Sequence, residues 1–419
     1  MIDPIKIITD KINIENKHLI LYGAGDDAVF IIHKLKTKNM FLPVCICDSD
    51  KTKWQKSLMG IKILSIDEAL SIYPEAYIFI SPILYKYQII GQLLASRKVV
   101  EERILNYEPV EKRTSCMYLE SQVLVYDDKL GYCCSDFGKN KSPYVEYTGD
   151  YDSSIDNFIH LRDKLIYNFN KSIPTSCDGC PCLSENYFTV SKKIRSLNFS
   201  EGGICNYKCC YCSSAAKSSR SENASIQLPE LVKKLDEKKL LDKNLHTTIA
   251  CGEVSIQSRR KEIYNVIQDK YNFIFSNSSV YDPQIADLIK NGTSILDTSV
   301  DAGTRETYAK IKGFDLFEKT RNNLYQYANE KSNGLVELKY IFIPGINDNK
   351  TDIDGFVDLC KFVKPTLVIL SHDFSFSDNL PQKTIDMAIR MIRSLEENGI
   401  YYKILSNKIR NALNERDVG

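Results

Sequence analysis

Gly203-Ile204-Cys205-Asn206-Tyr207-Lys208-Cys209-Cys210-Tyr211-Cys212 is the stretch from which the chemistry of this chain is read. It sets Cys205, Cys209 and Cys212 at C-x3-C-x2-C spacing on a short loop after an apolar-alternating segment, Ile194 to Phe199. Three thiolates this close grip one metal cluster. A cubane [4Fe-4S] cluster prefers thiolate ligands, and three cysteines leave one of its irons open to a small molecule. A structural zinc knot also uses closely spaced cysteines, but zinc normally closes a tetrahedral set and this spacing is unusual for it. Cys210, the extra thiol, reads as a passenger.

Downstream, strand and helix patterns alternate as parallel β/α units do. Strands are predicted at Ile194 to Phe199, His246 to Ala250, Asn272 to Ser276, Ser294 to Val300, Val336 to Ile343 and Thr366 to Leu370, with helices such as Leu228 to Leu240 and Tyr308 to Tyr327 between them. Functional residues of parallel barrels lie at the C-terminal strand ends. Cys251-Gly252-Glu253, Asn277, Ser299-Val300-Asp301, Gly345-Ile346-Asn347-Asp348 and Ser371-His372-Asp373 all stand there. Each taken alone also reads as an ordinary loop cap.

With Tyr211 just before its last cysteine, the loop resembles that of the radical S-adenosylmethionine (SAM) superfamily, over roughly residues 194 to 375. The resemblance implies a partial (β/α)6 barrel whose open iron chelates SAM, and whose cluster cleaves SAM by one electron to a 5'-deoxyadenosyl radical that abstracts a substrate hydrogen. It implies that Glu253, with Gly252, receives the SAM ammonium, as the Glu of the family's Gly-Gly-Glu-Pro element does; Cys251 and Val254 depart from that pattern. Asn277 falls where relatives carry Thr-Asn-Gly, and Ser299 and Asp301 fall where the family places polar groups near SAM, the ribose being their target. Cys251 is the candidate hydrogen donor to a substrate radical, against the plainer reading of a small residue in a tight turn.

Toward the N-terminus, His18 to Tyr22 reads as a buried strand followed by Gly23-Ala24-Gly25 and a helix through Val29, Ile31, Ile32 and Leu35. Glycines at such a turn let the backbone approach a pyrophosphate at the helix start. A second strand, Leu42 to Cys47, ends at Asp48, about 20 residues on, where such folds place the acid that holds a ribose hydroxyl. Residues 1–110 are therefore expected to form a Rossmann-like domain, similar to N-terminal domains of sugar-modifying transferases, with a nucleotide or nucleotide sugar at Gly23, Gly25 and Asp48. Asp26 and Asp27, beside that turn, oppose a phosphate, and the alternative is a docking module.

Residues 111–190 hold a second set of cysteines: Cys116, a hairpin from Val123 to Cys133 with Cys134 next, and Cys177-Asp178-Gly179-Cys180-Pro181-Cys182. Four such thiolates close a [4Fe-4S] site. The set resembles the SPASM or twitch auxiliary-cluster segments of radical SAM enzymes, although those follow the core and this one precedes it. Cys116, Cys134, Cys177 and Cys180 are the preferred ligands, with Cys133 and Cys182 as alternatives, and zinc is the rival metal. The core barrel is expected over 191–375 and a structural closure over 376–419.

The formal charge is +1, with Lys and Arg dispersed, so bulk electrostatics do not point to nucleic acid. No apolar run approaches the ~20 residues of a membrane span, and the start, Met1-Ile2-Asp3-Pro4, does not read as an export signal. Reduced thiols in a soluble, cytoplasmic protein fit this pattern better than disulfides. The resemblance implies an electron donor such as flavodoxin or ferredoxin and a small-molecule substrate, with a sugar or cyclitol, free or nucleotide-linked, preferred on the N-terminal module. Oxidation or epimerisation is the expected outcome. Peptide modification is the alternative among enzymes, and a non-catalytic Fe-S or zinc scaffold the alternative outside them.

Overall fold

The computed structural model describes residues 4–15, 17–82, 85–125, 128–133, 142–199, 204–212, 225–250, 252–330, 334–376 and 380–417. The chain divides into two compact units. The first comprises Met1–Glu201, Ala224–Thr248 and Asp269–Tyr271; the second comprises Gly202–Asn223, Ile249–Gln268 and Asn272–Gly419.

The first unit opens with α1 (Pro4–Glu15), β1 (Leu19–Tyr22), α2 (Asp26–Thr37), β2 (Cys45–Cys47), β3 (Ser57–Leu58), β4 (Ile61–Leu64), α3 (Ile66–Ile72), β5 (Tyr77–Ile80) and α4 (Lys86–Ala95). Its sheet runs in the order β3-β4-β2-β1-β5, with β4, β2, β1 and β5 parallel. Winding reverses at β1, which is where open α/β sheets form their crevice. β1 and β5 are buried along their whole length, as parallel strands covered on both faces are. β2 is shorter than the expected Leu42 to Cys47, and Pro43, which has no N–H to give a ladder, accounts for the late start. α3 begins with Ser65 as its N-cap, whose Oγ accepts the Glu68 N–H at 3.1 Å.

The unit continues with β6 (Val110–Ser115), α5 (Met117–Ser121), β7 (Gln122–Val125), β8 (Lys129–Gly131), β9 (Tyr144–Glu146), α6 (Tyr151–Asn170), β10 (Ser184–Thr189), β11 (Ile194–Phe199), α7 (Leu228–Glu237) and β12 (Leu241–Ile249). β7 and β8 form the expected hairpin, β9 extends it, and β10 pairs antiparallel with β6. β11, expected with the downstream barrel, groups here because it lies parallel to β7 with Ser196 opposite Gln122.

In the second unit α8 (Arg260–Ile267), β13 (Tyr271–Phe275), α9 (Pro283–Lys290), β14 (Ser294–Ser299), α10 (Arg305–Lys312), α11 (Phe317–Glu330), β15 (Leu335–Phe342), α12 (Lys350–Val363), β16 (Leu367–His372), α13 (Gln382–Glu397), β17 (Tyr402–Ile404) and α14 (Asn407–Asp417) alternate. β13 to β17 are parallel neighbours in chain order. Leu338, Tyr340, Phe342 and Leu370 pack with Phe356 of α12 and Met391 of α13 in one core. The helix expected from Tyr308 to Tyr327 is two helices, because Gly313 takes φ +78° and ends α10 with its N–H on the Ala309 carbonyl. The tail is part of this unit, since β17 pairs with β16. Among the described residues no helix is long and apolar enough to cross a membrane.

Candidate functional site

The loop of residues 204–212 is held from several sides within the second unit. The Glu253 N–H donates to the Ile204 carbonyl at 2.9 Å, and Gln257 Nε2 donates to the same oxygen at 3.0 Å. Asn206 donates to Ser279 Oγ at 2.7 Å and accepts from Asn277 Nδ2 at 2.8 Å. Tyr207 is buried, with its hydroxyl 2.9 Å from that of Tyr308. The N–H groups of Lys208 and Cys210 donate to the Lys312 and Ile311 carbonyls at the end of α10. The hydroxyl of Tyr211 donates to Asp301 Oδ2 at 2.5 Å.

Cys205, Cys209 and Cys212 are thus carried on a braced loop, with Cys205 and Cys209 partly buried against the core of this unit. Burial pushes the Cys209 thiol up to about 11, with Lys312 acting in the opposite direction. Asn277 Nδ2 lies 3.9 Å from Cys205 Sγ.

Glu253 is wholly buried. Its Oε1 accepts from Ser255 N–H at 3.1 Å, Ser255 Oγ at 2.6 Å and Ser276 Oγ at 2.8 Å, and its Oε2 from the Asn277 N–H at 2.5 Å. Burial raises its pKa, and the hydrogen bonds from Ser255, Asn277 and Ser276 act the other way. Within the second unit the carboxyl group therefore ties the turn at Glu253–Ser255 to the end of β13. Gly252 before it is exposed and takes φ +51°, a turn that favours glycine. Cys251 lies outside the described residues.

Asp301, expected beside a ribose, is engaged otherwise. Oδ1 accepts the Ile341 N–H at 2.8 Å, Oδ2 accepts from Tyr211 and from Lys312 Nζ at 2.5 Å, and its carbonyl accepts from Asn347 Nδ2 at 2.7 Å. Protein donors satisfy both carboxylate oxygens, which is why the side chain does not face outward. Asn347 and Asp348 serve the same scaffold, Asp348 accepting from the Gly345 N–H at 2.9 Å and from Thr384 Oγ1 at 2.7 Å. Ser299 ends β14 half-buried and in register with Lys339. His372 is in register with Phe342 and so shares the face that packs on the helices.

In the first unit Cys116, Cys133, Cys177, Cys180 and Cys182 line one cavity of about 380 Å3, counting its open mouth. They come from the N-cap of α5, the end of the β8 hairpin and the turn before β10. Burial pushes Cys116 up to about 12 and also raises Cys177. Cys134 lies outside the described residues, so Cys133 is the member of that pair seen at the cavity.

At the N-terminal turn, Asp48 is already bound. Its carboxylate accepts the Ala24 N–H at 2.7 Å, the Asp50 N–H at 2.8 Å and Lys53 Nζ at 2.9 Å. Gly23 takes φ +104°, and a Cβ there would stand 2.4 Å from Pro82 Cγ. The turn is closed onto its own neighbours. Gly25, the N-cap of α2, has open space where a Cβ would be.

Sequence reasoning missed Lys312, Ser276 and Gln257. A lysine in the last turn of a helix reads as a solvated charge answering the helix dipole, so only the fold reveals that Lys312 is 2% exposed.

Residues 201–359 match the family model described as Radical SAM superfamily. Over 113 residues the chain is 27% identical to the probable dual-specificity RNA methyltransferase RlmN of Flavobacterium johnsoniae, covering 26% of this chain and 32% of that protein. It therefore spans about a third of that relative's length. Among solved structures, it overlays Streptococcus suis SuiB bound to S-adenosylmethionine over 70% of this chain and 75% of that one, at 11% identity and TM-score 0.41. A radical SAM methyltransferase from Sphaerobacter thermophilus overlays 61% of this chain and 83% of its own, at 12% identity and TM-score 0.37.

A radical SAM domain implies a [4Fe-4S] cluster and SAM. The donor set at the loop fits that cluster, for it offers thiols on a rigid turn with Asn277 and buried Glu253 alongside. Among the described residues no three His, Cys, Asp or Glu side chains converge enough to share a single metal ion. A cubane does not require that, because each thiolate takes its own iron. The likeness to the radical SAM superfamily is thus carried by residues 201–359, which hold the cysteine loop, Glu253, Asn277 and Asp301.

Proposed function

We propose that this chain is a radical SAM enzyme that abstracts a hydrogen atom from a sugar or cyclitol and oxidises it with the help of a second [4Fe-4S] cluster in the first unit. The observation that carries this reading is the gathering of Cys116, Cys133, Cys177, Cys180 and Cys182 around one cavity. Thiols from separate stretches have no packing reason to converge, whereas a cubane needs four such ligands. When bound, such a cluster supplies a one-electron acceptor, which is what oxidation of a substrate radical calls for. Epimerisation is the second outcome, with Cys251 as the hydrogen donor.

The geometry of the loop supports the following roles. Cys205, Cys209 and Cys212 hold the SAM cluster, with Tyr211 fixed beside them by Asp301. Glu253 Oε2 takes the Asn277 N–H and, as a carboxylate oxygen, has a second lone pair to offer the SAM ammonium. The sugar class rests on the likeness of the N-terminal module to those of sugar-modifying transferases. That module serves docking in this reading, because Asp48 is held by Ala24, Asp50 and Lys53.

Methyl transfer is the second reading, favoured by the name of the Flavobacterium johnsoniae relative. Product analysis separates the two. Anaerobically reconstituted protein with dithionite, SAM and a panel of deuterated sugars and cyclitols is expected to yield deuterated 5'-deoxyadenosine and a product about three mass units lighter than the labelled substrate, one deuterium going to the cofactor radical and one proton to a base. S-adenosylhomocysteine as the main product from SAM would favour methyl transfer and end the oxidation reading.

A further inference from the structure

One buried ion pair grips the cysteine loop beside Tyr211. Lys312 is 2% exposed and Asp301 0%. Lys312 Nζ lies 2.5 Å from Asp301 Oδ2 and donates to the Tyr211 hydroxyl at 2.8 Å, and that hydroxyl donates to the same Oδ2 at 2.5 Å. The ammonium is 5.2 Å from the centroid of the Tyr211 ring. Asp301 takes φ +62°, a left-handed backbone that is unfavourable for a non-glycine residue and persists where the surroundings over-determine it.

A prop for Tyr211 need not be charged. Taking both ions out of water costs several kcal/mol each, and an apolar pair of equal volume is often as stable. What an apolar pair lacks is a fixed field. In a dry site a unit charge a few ångströms away acts on an added electron more strongly than in water, and charge and hydrogen bonds around the sulfurs set a cluster's potential. The position is right for this, since Lys312 stands against the loop itself: its carbonyl accepts the Lys208 N–H at 3.0 Å and its Nζ donates to Tyr211, the neighbour of Cys212, at 2.8 Å.

We infer that Lys312 is a positioning residue that holds the loop through Tyr211 and biases the cluster toward reduction, with Asp301 as the opposing charge that limits the bias. The inference rests on Cys205, Cys209 and Cys212 being the cluster's ligands. The step it bears on is a single electron passing from an external one-electron donor, dithionite in the test, which is oxidised as the cluster is reduced; no bond or proton changes place.

The test is an EPR-monitored dithionite titration of the reconstituted full chain, following the signal that changes when SAM is added, with iron counted alongside. Lys312→Met is expected to lower the midpoint potential and Asp301→Asn to raise it, while the double variant returns toward wild type. Lys312→Arg, which keeps the charge, is expected to stay near the wild-type potential. A purely structural pair would move both single variants the same way, by loosening the loop, and that result overturns the inference. So does an Arg variant that shifts as far as Met, or no shift in Lys312→Met at full iron content. A triple variant with Cys205, Cys209 and Cys212 all replaced by Ala that holds as much iron as wild type would instead overturn the ligand reading on which the inference rests.

Discussion

The Asn277 N–H donates to Glu253 Oε2 at 2.5 Å, and Ser255 and Ser276 donate to Oε1 of the same carboxyl, which solvent does not reach. Burial raises the pKa of Glu253 despite these bonds, so the folded protein keeps this proton more readily than the unfolded chain. As pH rises above the ordinary carboxylate range of about 4.3, the unfolded chain releases its proton first, and stability that was complete at lower pH is lost through the raised pKa. Glu253→Gln has no such slope. Its amide also turns a donor toward the Asn277 N–H, leaving a buried group unpaired at about 1–3 kcal/mol. The variant is therefore expected to melt below wild type at pH 4, with the gap narrowing toward pH 7. Calorimetric scans across that range check it; a gap that widens with pH would mean the carboxylate is held ionised.

Gly355 lies against Gly303 so closely that a Cβ on Gly355 would meet the Gly303 carbonyl oxygen at 2.2 Å. The contact seats Asp352 to accept the Gly303 N–H at 3.0 Å and Thr307 Oγ1 at 2.8 Å, two residues after Asp301 begins its left-handed turn. Gly355→Ala brings two opposed effects. Alanine in the helix interior gains about 1 kcal/mol in propensity, but overpacking costs about 1–3 kcal/mol, and here the obstacle is backbone that cannot rotate aside. The clash wins, and the melting temperature is expected to fall by a few degrees, at about 2–4 °C per kcal/mol for a unit of this size. An unchanged or higher value would show that α12 can shift away.

The reach of the sequence depends on how local each signal is. The strands of the second unit begin and end within about two residues of expectation because each apolar run is bounded by turn residues. The order of Glu253, Asn277, Asp301 and Asn347 along the chain was legible too, since each follows a strand. What each side chain does was not, because Asp301 and Asp48 are bound by Lys312 and Lys53, donors that carry no periodic mark. The grouping of β11 with the first unit depends on its pairing with β7, from which more than sixty residues separate it. Gly313 as a helix stop was visible in composition but overridden by the apolar period on either side of it.

Iron content tests the cavity in the first unit. Reconstituted wild type is expected to hold about eight irons per chain, and the Cys205, Cys209 and Cys212 triple alanine variant about four. Cys177→Ala with Cys180→Ala should remove the other four and leave the loop cluster intact. Because Cys133 is at the cavity, Cys133→Ser is expected to lose more iron than Cys134→Ser. Wild type with only about four irons, all lost in the triple variant, would sink the second cluster.

At the N-terminal turn the contest is between two partners for one carboxylate. Asp48 holds the Ala24 N–H at 2.7 Å and Lys53 Nζ at 2.9 Å, so a ribose hydroxyl would have to displace bonds already made. Lys53 is about a third exposed in its side chain, and such a pair contributes about 0–1 kcal/mol; the buried-side N–H groups of Ala24 and Asp50 weigh more. Lys53→Met should therefore cost little stability, while Asp48→Ala, which strands both N–H groups, should cost about 1–3 kcal/mol. A nucleotide bound at 100 times its Kd would stabilise the fold by about 2.7 kcal/mol, well above what a thermal scan can miss. With Asp48 committed, no nucleotide or nucleotide sugar is expected to raise the melting temperature, and Gly25→Val, which points into open space, should leave it near wild type. A nucleotide sugar that raises it in wild type but not in Asp48→Asn would show that the carboxylate trades its partners for a ligand and that the module is a binding site after all.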